Sequence, residues 1–93
     1  MIKSIRHKGL KKYFEDGDAS KIQPDHVKKL RIRLGVLDAA QSIEDINKPG
    51  FDLHSLQGEL KGRWSISVNG NWRLTFEFQD GDVLVLDYED YHS

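Results

Sequence analysis

The hydrophobic period of the chain changes from helical spacing to strict alternation near its middle, and this change constrains the fold most. Val27, Leu30, Leu34 and Leu37 recur at the spacing that places residues on one face of an α-helix. From residue 64 onward, apolar and polar residues alternate, which is typical of strands that are buried on one face. The sequence therefore predicts an α+β fold, with an N-terminal strand and two helices packed on one face of a small antiparallel sheet.

The first half of the chain predicts one strand and two helices. We expect the strand at residues 2–7, a short helix from Gly9 to Glu15, and a longer helix from Pro24 to Ala40. Proline suits the first turn of a helix because its missing N–H would have no partner within the helix. Ser42, with Asp45 three residues later, predicts a further capped turn that ends at Ile46.

The second half predicts three strands, at residues 64–69, 72–79 and 83–88, separated by turns at Gly70 and at Asp80-Gly81. Strands joined by such short turns are antiparallel. We expect one face of the middle strand to pack on the helices, because it carries the apolar residues Trp72, Leu74, Phe76 and Phe78. The opposite face, with Arg73, Thr75, Glu77 and Gln79, is expected to be uncovered.

Length and composition limit the class of protein. The 93 residues fit a single domain, residues 1–93, and the longest apolar run, Val83 to Leu86, is too short to cross a membrane. The chain contains no cysteine, so disulfides and thiolate chemistry are excluded. The segment Met1-Ile2-Lys3-Ser4 lacks the apolar stretch of a secretory signal. We therefore expect a soluble, cytoplasmic protein.

The net charge of −1 conceals two halves of opposite charge. Residues 1–34 contain ten Lys and Arg and four Asp and Glu, which gives +6, whereas residues 35–93 contain four and eleven, which gives −7. Such a division can place a basic surface on one side of a small domain. Composition alone favours the ordinary alternative, in which basic solvated helices lie beside an acidic sheet.

The motifs of common catalytic sites are missing from the sequence. The glycines form no phosphate-binding loop, and no serine-nucleophile motif is present. Asp90 and His92 together would give too few ligands for a metal site. We therefore expect no metal and no cofactor, and the remaining candidates are polar groups that could act on a phosphodiester directly.

Two of these candidates could bind a phosphate or transfer a proton. Arg73, in the middle of a strand, could hold phosphate oxygens with a fixed guanidinium, or it could form an ordinary ion pair with Glu77. His92 could donate or accept a proton near neutral pH, or it could lie in a disordered tail.

Three further candidates have equally ordinary alternatives. Tyr91 could stack on a base or fill the core, and Asp90 could accept a proton or simply be solvated. His54, at the start of the sheet region, could contribute to the same site or be a structural histidine.

Three segments of the sequence, taken together, indicate a protein family more specifically than any single residue does. They are the tail Tyr88-Glu89-Asp90-Tyr91-His92, the stretch Asn71-Trp72-Arg73-Leu74-Thr75-Phe76, and His54-Ser55-Leu56-Gln57-Gly58. With them, the chain resembles the HigB toxins of the RelE superfamily, the toxic halves of bacterial toxin–antitoxin modules. The resemblance extends over essentially the whole chain, although the helices match only in pattern.

The resemblance implies a ribosome-dependent endoribonuclease that cuts mRNA without a metal, by attack of the RNA 2′-hydroxyl on the adjacent phosphate. Arg73 would stabilise the developing charge, Asp90 and His92 would transfer protons, and His92 would protonate the leaving oxygen. Tyr91 would orient the nucleotides and His54 would lie at the edge of the pocket. The side chains that would bind RNA are Lys28, Lys29, Arg31, Arg33, Lys61 and Arg63.

The same resemblance implies an antitoxin partner, and the departures from it bear on the strength of the nuclease activity. A HigA-like helix-turn-helix antitoxin would neutralise the toxin, and operator DNA would be reached only through that antitoxin. Relatives often carry a second arginine where this chain has Ser67 and Asn69, and some carry a lysine at Gln57. The resemblance therefore implies an attenuated nuclease, unless Lys61 and Arg63 substitute for these cations.

Two other functions remain open at this point. The ParE toxins of the same superfamily inhibit DNA gyrase, so a non-nucleolytic gyrase inhibitor or an antitoxin-binding co-regulator is one alternative. A generic RNA-binding domain without cleavage activity is the other.

Overall fold

The computed structural model describes residues 1–58 and 62–90. Helix α1, Lys8–Asp16, is followed by a 3₁₀ turn, Pro24–His26, which leads directly into helix α2, Val27–Ala39, and then by a second 3₁₀ turn, Ile43–Ile46. The strands are β1, His54–Ser55; β2, Arg63–Asn69; β3, Trp72–Gln79; and β4, Asp82–Asp90. They form one sheet in the order β1-β2-β3-β4, with every neighbouring pair antiparallel. The predicted α+β architecture is confirmed.

Helix α1 has both ends satisfied by groups that lie close in sequence. At its start, the His7 Nδ1 accepts a hydrogen bond from the Leu10 N–H at 3.0 Å. At its end, Gly17 adopts a left-handed conformation, with φ of 75°, and its N–H donates to the Tyr13 carbonyl at 2.9 Å. A glycine adopts this conformation without the steric cost of a Cβ atom, so the helix ends here.

Helix α2 packs with the apolar face that its spacing predicts. Leu30, Leu34 and Leu37 are buried, and Pro24 stands at the start of the 3₁₀ turn that leads into the helix. After the helix, Ser42 and Asp45 form a reciprocal capping box around the Ile43–Ile46 turn, as predicted. No helix in the described part of the chain is long and apolar enough to span a membrane.

The sheet face that meets the helices is the apolar one. Across the β2–β3 pair, Trp64 lies opposite Phe76 and Ile66 lies opposite Leu74. Ile66, Leu74 and Phe76 are fully buried with the leucines of α2 in one hydrophobic cluster. The predicted orientation of the middle strand is therefore confirmed, and the core lies between this face and the helices.

The predicted strand at residues 2–7 is wrong in form. The segment lies along β4 but makes only two isolated parallel bridges, from Ile2 to Val83 and from Ile5 to Leu86. Ile2 and Ile5 are three residues apart, so a regular strand would direct them to opposite faces. Irregular backbone allows both to pack against the core.

Strand β4 contains a bulge that brings one extra residue into the pair with β3. Thr75 lies opposite Asp87, whereas Glu77 lies opposite Leu84, so the register shifts by one residue between them. Within this stretch Val85 has a φ of 51°, which is a strained conformation for a β-branched residue. The Val85 N–H donates to the Ser4 Oγ at 2.8 Å, so the N-terminal segment supports the bulge.

Candidate functional site

The polar face of the sheet is the one turned away from the helices, as predicted, and side chains of the sheet itself lie over its centre. Ser65 and Thr75, which lie opposite each other on β2 and β3, are each only 1% exposed. The Arg73 Nε donates to the Ser65 Oγ at 3.0 Å, and the Arg63 Nη2 donates to the Thr75 Oγ1 at 3.1 Å. Two long arginine side chains therefore lie over two small hydroxyl residues.

Arg73 and His54 are in contact on this face. The Arg73 Nη2 lies 3.3 Å from the His54 Nδ1. Strand β1 places His54 opposite Ser65, on the same side of the sheet as Arg73. The alternative pairing of Arg73 with Glu77 is wrong, because the ion-pair partner of Glu77 is Arg63, at 3.5 Å.

Asp52 joins Arg73 and His54, and the sequence patterns did not identify it. Its main-chain carbonyl accepts from the Arg73 Nη2 at 3.1 Å and lies 2.9 Å from the His54 Nδ1. Its carboxylate lies 3.4 Å from the Arg73 Nη2 and 3.7 Å from the His54 Nδ1. Asp52 has a φ of 50°, which aspartate tolerates better than most residues. The only sequence signal was its position two residues before His54.

A second cluster of polar groups lies beside the first and is centred on Thr75. Its hydroxyl accepts from Arg63 and donates to the Glu89 carboxylate. Arg63 also donates to the Val85 carbonyl at 3.0 Å, so its side chain, 13% exposed, ties the bulge to the sheet face. Arg63 therefore serves the fold. Glu89 is half-buried and is a further site candidate that sequence reasoning did not single out.

The register of β3 and β4 determines which side each residue of the tail faces. Arg73 lies opposite Glu89, whereas Trp72 lies opposite Asp90. Because side chains alternate along a strand, Glu89 belongs to the Arg73 face and Asp90 to the face that meets the helices. Asp90 is exposed at the end of the strand. Tyr91, His92 and Lys61 lie outside the described residues.

The arrangement brings together chemistry that suits a phosphodiester. A fixed guanidinium can stabilise charge on phosphate oxygens, and an imidazole or a carboxylate can transfer protons. Arg73, His54 and Glu89 supply these three kinds of group on one face of the sheet.

Comparison with known proteins identifies the family. Residues 3–92 match the model of the RelE-like toxin of the type II toxin–antitoxin system HigB. The chain belongs to the HigB-like toxins. It is 47% identical to Endoribonuclease HigB of Proteus vulgaris over 92 residues, which cover 99% of this chain and 100% of that protein. It is 36% identical to Toxin HigB-1 of Vibrio cholerae over 95 residues, which cover 100% of this chain and 99% of that protein.

The basic residues of α2 in this HigB-like toxin divide into two groups. Lys28, Lys29 and Arg31 are exposed, as the sequence predicts, and the Lys29 Nζ donates to the Asn69 Oδ1 at 3.2 Å. The prediction that Arg33 belongs to the same surface is wrong, because Arg33 is only 9% exposed.

Arg33 is held by carbonyl groups and one aromatic ring. Its Nε donates to the Ser67 carbonyl at 2.6 Å, and its Nη1 donates to the Lys29 carbonyl at 3.3 Å. The guanidinium carbon lies 4.6 Å from the centre of the Phe51 ring. Burial lowers the pKa of Arg33. This arginine therefore joins helix α2 to strand β2 and to the loop before β1.

A buried histidine lies beneath the end of β4. His26 is 4% exposed, and its Nδ1 lies 2.6 Å from the Tyr88 hydroxyl. Its ring packs edge-on against Trp72 and Tyr88. Burial lowers the pKa of His26, although Asp25 opposes this effect, and burial raises the pKa of Tyr88. The cluster anchors the strand that leads into the Asp90-Tyr91-His92 tail.

Proposed function

We propose that this HigB-like toxin is an endoribonuclease that cuts mRNA on the ribosome and thereby inhibits translation in the cytoplasm. One observation carries the proposal: Arg73 is fixed beside His54, on the sheet face to which Glu89 of β4 also belongs. The similarity to Endoribonuclease HigB of Proteus vulgaris supports the same activity. The toxin acts as a single domain of residues 1–93.

The proposed reaction is an internal transesterification. The 2′-hydroxyl of the RNA attacks the adjacent phosphate, which leaves a 2′,3′-cyclic phosphate and a 5′-hydroxyl. Arg73 stabilises the negative charge that builds on the phosphate oxygens, and His92 protonates the leaving 5′-oxygen. Tyr91 orients the nucleotides, Asp90 assists proton transfer in the tail, and His54 borders the pocket. Such a reaction requires neither a metal nor a cofactor.

Arg73 must exchange partners when RNA binds. Its side chain is 15% exposed, and its Nη2 is engaged by both oxygen groups of Asp52. A phosphate that binds to the guanidinium competes with the Asp52 carboxylate. This competition, together with the departures at Gln57, Ser67 and Asn69, favours a weaker nuclease than a site with additional free cations.

Ribosomal RNA contacts are assigned to the exposed cations of α2. Lys29 reaches Asn69 at the β2–β3 turn, which lies at the same end of the sheet as Trp72 and Asp90. Lys28 and Arg31 extend this basic surface along the helix, and Lys61, which precedes β2 in the sequence, is assigned to the same contacts. Such cations bind the phosphate backbone without regard to sequence, so their contribution weakens as the salt concentration rises.

Neutralisation is assigned to an antitoxin, as membership of a type II toxin–antitoxin family implies. The proposed antitoxin is HigA-like, with a helix-turn-helix domain that carries the toxin to operator DNA. The toxin itself contacts DNA only through that partner.

The proposal is tested by expressing the wild-type chain, Arg73→Ala and a chain that ends at Asp90. We expect growth arrest only with the wild type, and cleavage of mRNA only when purified ribosomes are present. The exposed acid variant Glu44→Gln serves as the matched control and remains toxic. Addition of EDTA at a concentration that leaves the ribosomes intact leaves the rate unchanged.

Mapping of the mRNA ends separates the possible activities. Codon-phased, translation-dependent cuts support the nuclease, whereas intact mRNA with arrested replication indicates gyrase inhibition. Salt-sensitive RNA binding without cleavage indicates a binding domain. Equal toxicity of all three chains, or of none, contradicts the assigned site.

A further inference from the structure

We propose that Glu89 is the general base that accepts the proton of the attacking 2′-hydroxyl, and that Thr75 positions its carboxylate. The proposal rests on the proposed function, because it assigns one further role within the same reaction. It begins with the pairing of Arg73 and Glu89 across β3 and β4.

The register places Glu89 where a base for this reaction is required. The attacking 2′-oxygen lies next to the phosphate that it attacks, and Arg73 is assigned to that phosphate. The base must therefore lie on the same face of the sheet as Arg73. Directly opposed residues of an antiparallel pair have Cβ atoms about 4.5–5.5 Å apart. Glu89 lies directly opposite Arg73 and therefore shares its face. Asp90, opposite Trp72, belongs to the other face of the sheet.

Thr75 holds the Glu89 carboxylate in a defined direction. A guanidinium has only donors, so the hydrogen bond from Arg63 requires the Thr75 oxygen to accept. The hydrogen of the Thr75 hydroxyl is then directed to the Glu89 Oε2. Thr75 is 1% exposed, so water does not compete for this hydroxyl.

Arg63 fixes the Thr75 hydroxyl in turn. Its Nη2 bridges the Thr75 Oγ1 and the Val85 carbonyl of the bulge, and its Nη1 pairs with Glu77 at 3.5 Å. The carboxylate of Glu77 is therefore engaged with Arg63. Glu89 itself is half-buried. The hydrogen bonds from Arg63 to Thr75 and from Thr75 to Glu89 therefore orient the Glu89 carboxylate from the buried side.

The proposed step balances in atoms and charge. The 2′ O–H bond breaks and its proton passes to the Glu89 carboxylate, while a bond forms between the 2′-oxygen and phosphorus. The bond between phosphorus and the 5′-oxygen breaks, and the leaving oxygen takes its proton from His92. Arg73 neutralises the charge on the phosphate oxygens during the exchange.

The test measures single-turnover cleavage of ribosome-bound mRNA by purified full-length variants. Glu89→Gln has the same size and still accepts a bond from Thr75, but it cannot take up the proton. We expect its cleavage rate to fall by about 100-fold or more, with ribosome binding unchanged. Glu44→Gln, the same change at an exposed acid of the Ile43–Ile46 turn, serves as the matched control and is expected to cleave at the wild-type rate.

The role of Thr75 is tested by a pair of variants. Thr75→Val keeps the shape of the side chain but removes the hydroxyl, and we expect about a tenfold loss of the cleavage rate without a change in KM. Thr75→Ser restores the hydroxyl and is expected to cleave within about twofold of the wild type. A merely structural role would not produce this rescue together with an unchanged KM.

The outcomes distinguish this assignment from the proposed function. Cleavage by Glu89→Gln within about fivefold of the wild type, while Arg73→Ala is inactive, overturns the assignment and leaves the nuclease intact. An equal loss of the cleavage rate in Glu44→Gln and Glu89→Gln also overturns it. Absence of cleavage by the wild type overturns the proposed function itself. If Glu89→Gln does not fold, the Thr75 pair decides: equal rates for Thr75→Val and Thr75→Ser contradict the proposal.

Discussion

Arg73 and Glu89 lie directly opposite each other across the β3–β4 pair, on the sheet face turned away from the helices. The guanidinium of Arg73 leans toward β1, where it meets Ser65 and Asp52, while the Glu89 carboxylate leans toward Thr75. The two charged groups are therefore held by different neighbours. The site therefore contains a cation and a carboxylate that are each oriented by hydrogen bonds on this face of the sheet.

Replacing Asp52 with asparagine is expected to strengthen substrate binding. The carboxylate, 3.4 Å from the Arg73 Nη2, competes with a phosphate for the guanidinium, and asparagine removes its charge. Asparagine tolerates the φ of 50°, so the main-chain carbonyl keeps its position. Because an exposed ion pair contributes about 0–1 kcal/mol, we expect KM for ribosome-bound mRNA to fall by up to about fivefold.

The Asp52→Asn experiment has a simple control. Glu44→Gln removes an exposed negative charge from the Ile43–Ile46 turn and is expected to leave KM unchanged. A higher KM in Asp52→Asn would show that the carboxylate supports substrate binding instead of competing with it.

Replacing Arg33 with alanine is expected to destabilise the fold. The side chain donates to main-chain carbonyls of α2 and β2 and lies over Phe51, so its loss leaves buried acceptors without their partner. We expect the free energy of unfolding to fall by about 2–3 kcal/mol. Urea denaturation measures the change, and exposed Arg31→Ala, expected to lie within about 0.5 kcal/mol of the wild type, is the control. Equal stabilities for the two variants would contradict the structural role of Arg33.

The stability of the toxin is expected to fall as the pH falls below about 6.5, partly through His26. Burial lowers the pKa of His26 in the folded chain below its ordinary value of 6.5. Below that pH the unfolded chain binds a proton that the folded chain does not, so protonation favours unfolding. The free energy of unfolding of the wild type and of His26→Asn is measured by denaturation at several pH values between 7 and 5. The difference between the two slopes of this free energy against pH is the contribution of His26. Parallel slopes would show that His26 does not contribute.

Glycine is expected to be tolerated at position 85 but not at position 83. Val85 has a φ of 51°, and glycine relieves the strain that a β-branched side chain carries there. This gain offsets the lost packing of a half-buried residue, so we expect Val85→Gly to lie within about 1 kcal/mol of the wild type. Val83 is fully buried, and Val83→Gly should cost about 3 kcal/mol in chemical denaturation. Similar losses in both variants would contradict the strain at Val85.

Much of the fold could be predicted because the decisive signals are local. The α2 leucines, the Ser42–Asp45 cap and the alternation from Trp64 to Phe78 depend on residues that are close in sequence. Helical and strand periods are properties of the backbone itself, so an amphipathic segment predicts its own geometry. The N-terminal segment departed from this rule because it packs Ile2 and Ile5 without regular strand geometry.

The candidate site was predictable only in part, because its contacts join distant parts of the chain. The family resemblance singled out Arg73 and His54, and the structure brings them together. Asp52 carries no distinctive pattern and becomes relevant only because a loop places it against β3. The other basic residues of α2 are exposed, and Arg33 is buried because Phe51 and β2 lie against it.

By itself, the sequence determined the order of the two helices and of the three long strands, and which sheet face is apolar, because these follow from hydrophobic spacing along the chain. It also placed the chain among the HigB-like toxins through Arg73 and the segments around it. Only the tertiary structure decided which charged side chains face each other. The β3–β4 register aligns Glu89, not Asp90, with Arg73, and a shift of one residue would have exchanged them. Strand register is set by pairing between distant parts of the chain and by the bulge at Val85. No local pattern in the sequence predicts this bulge.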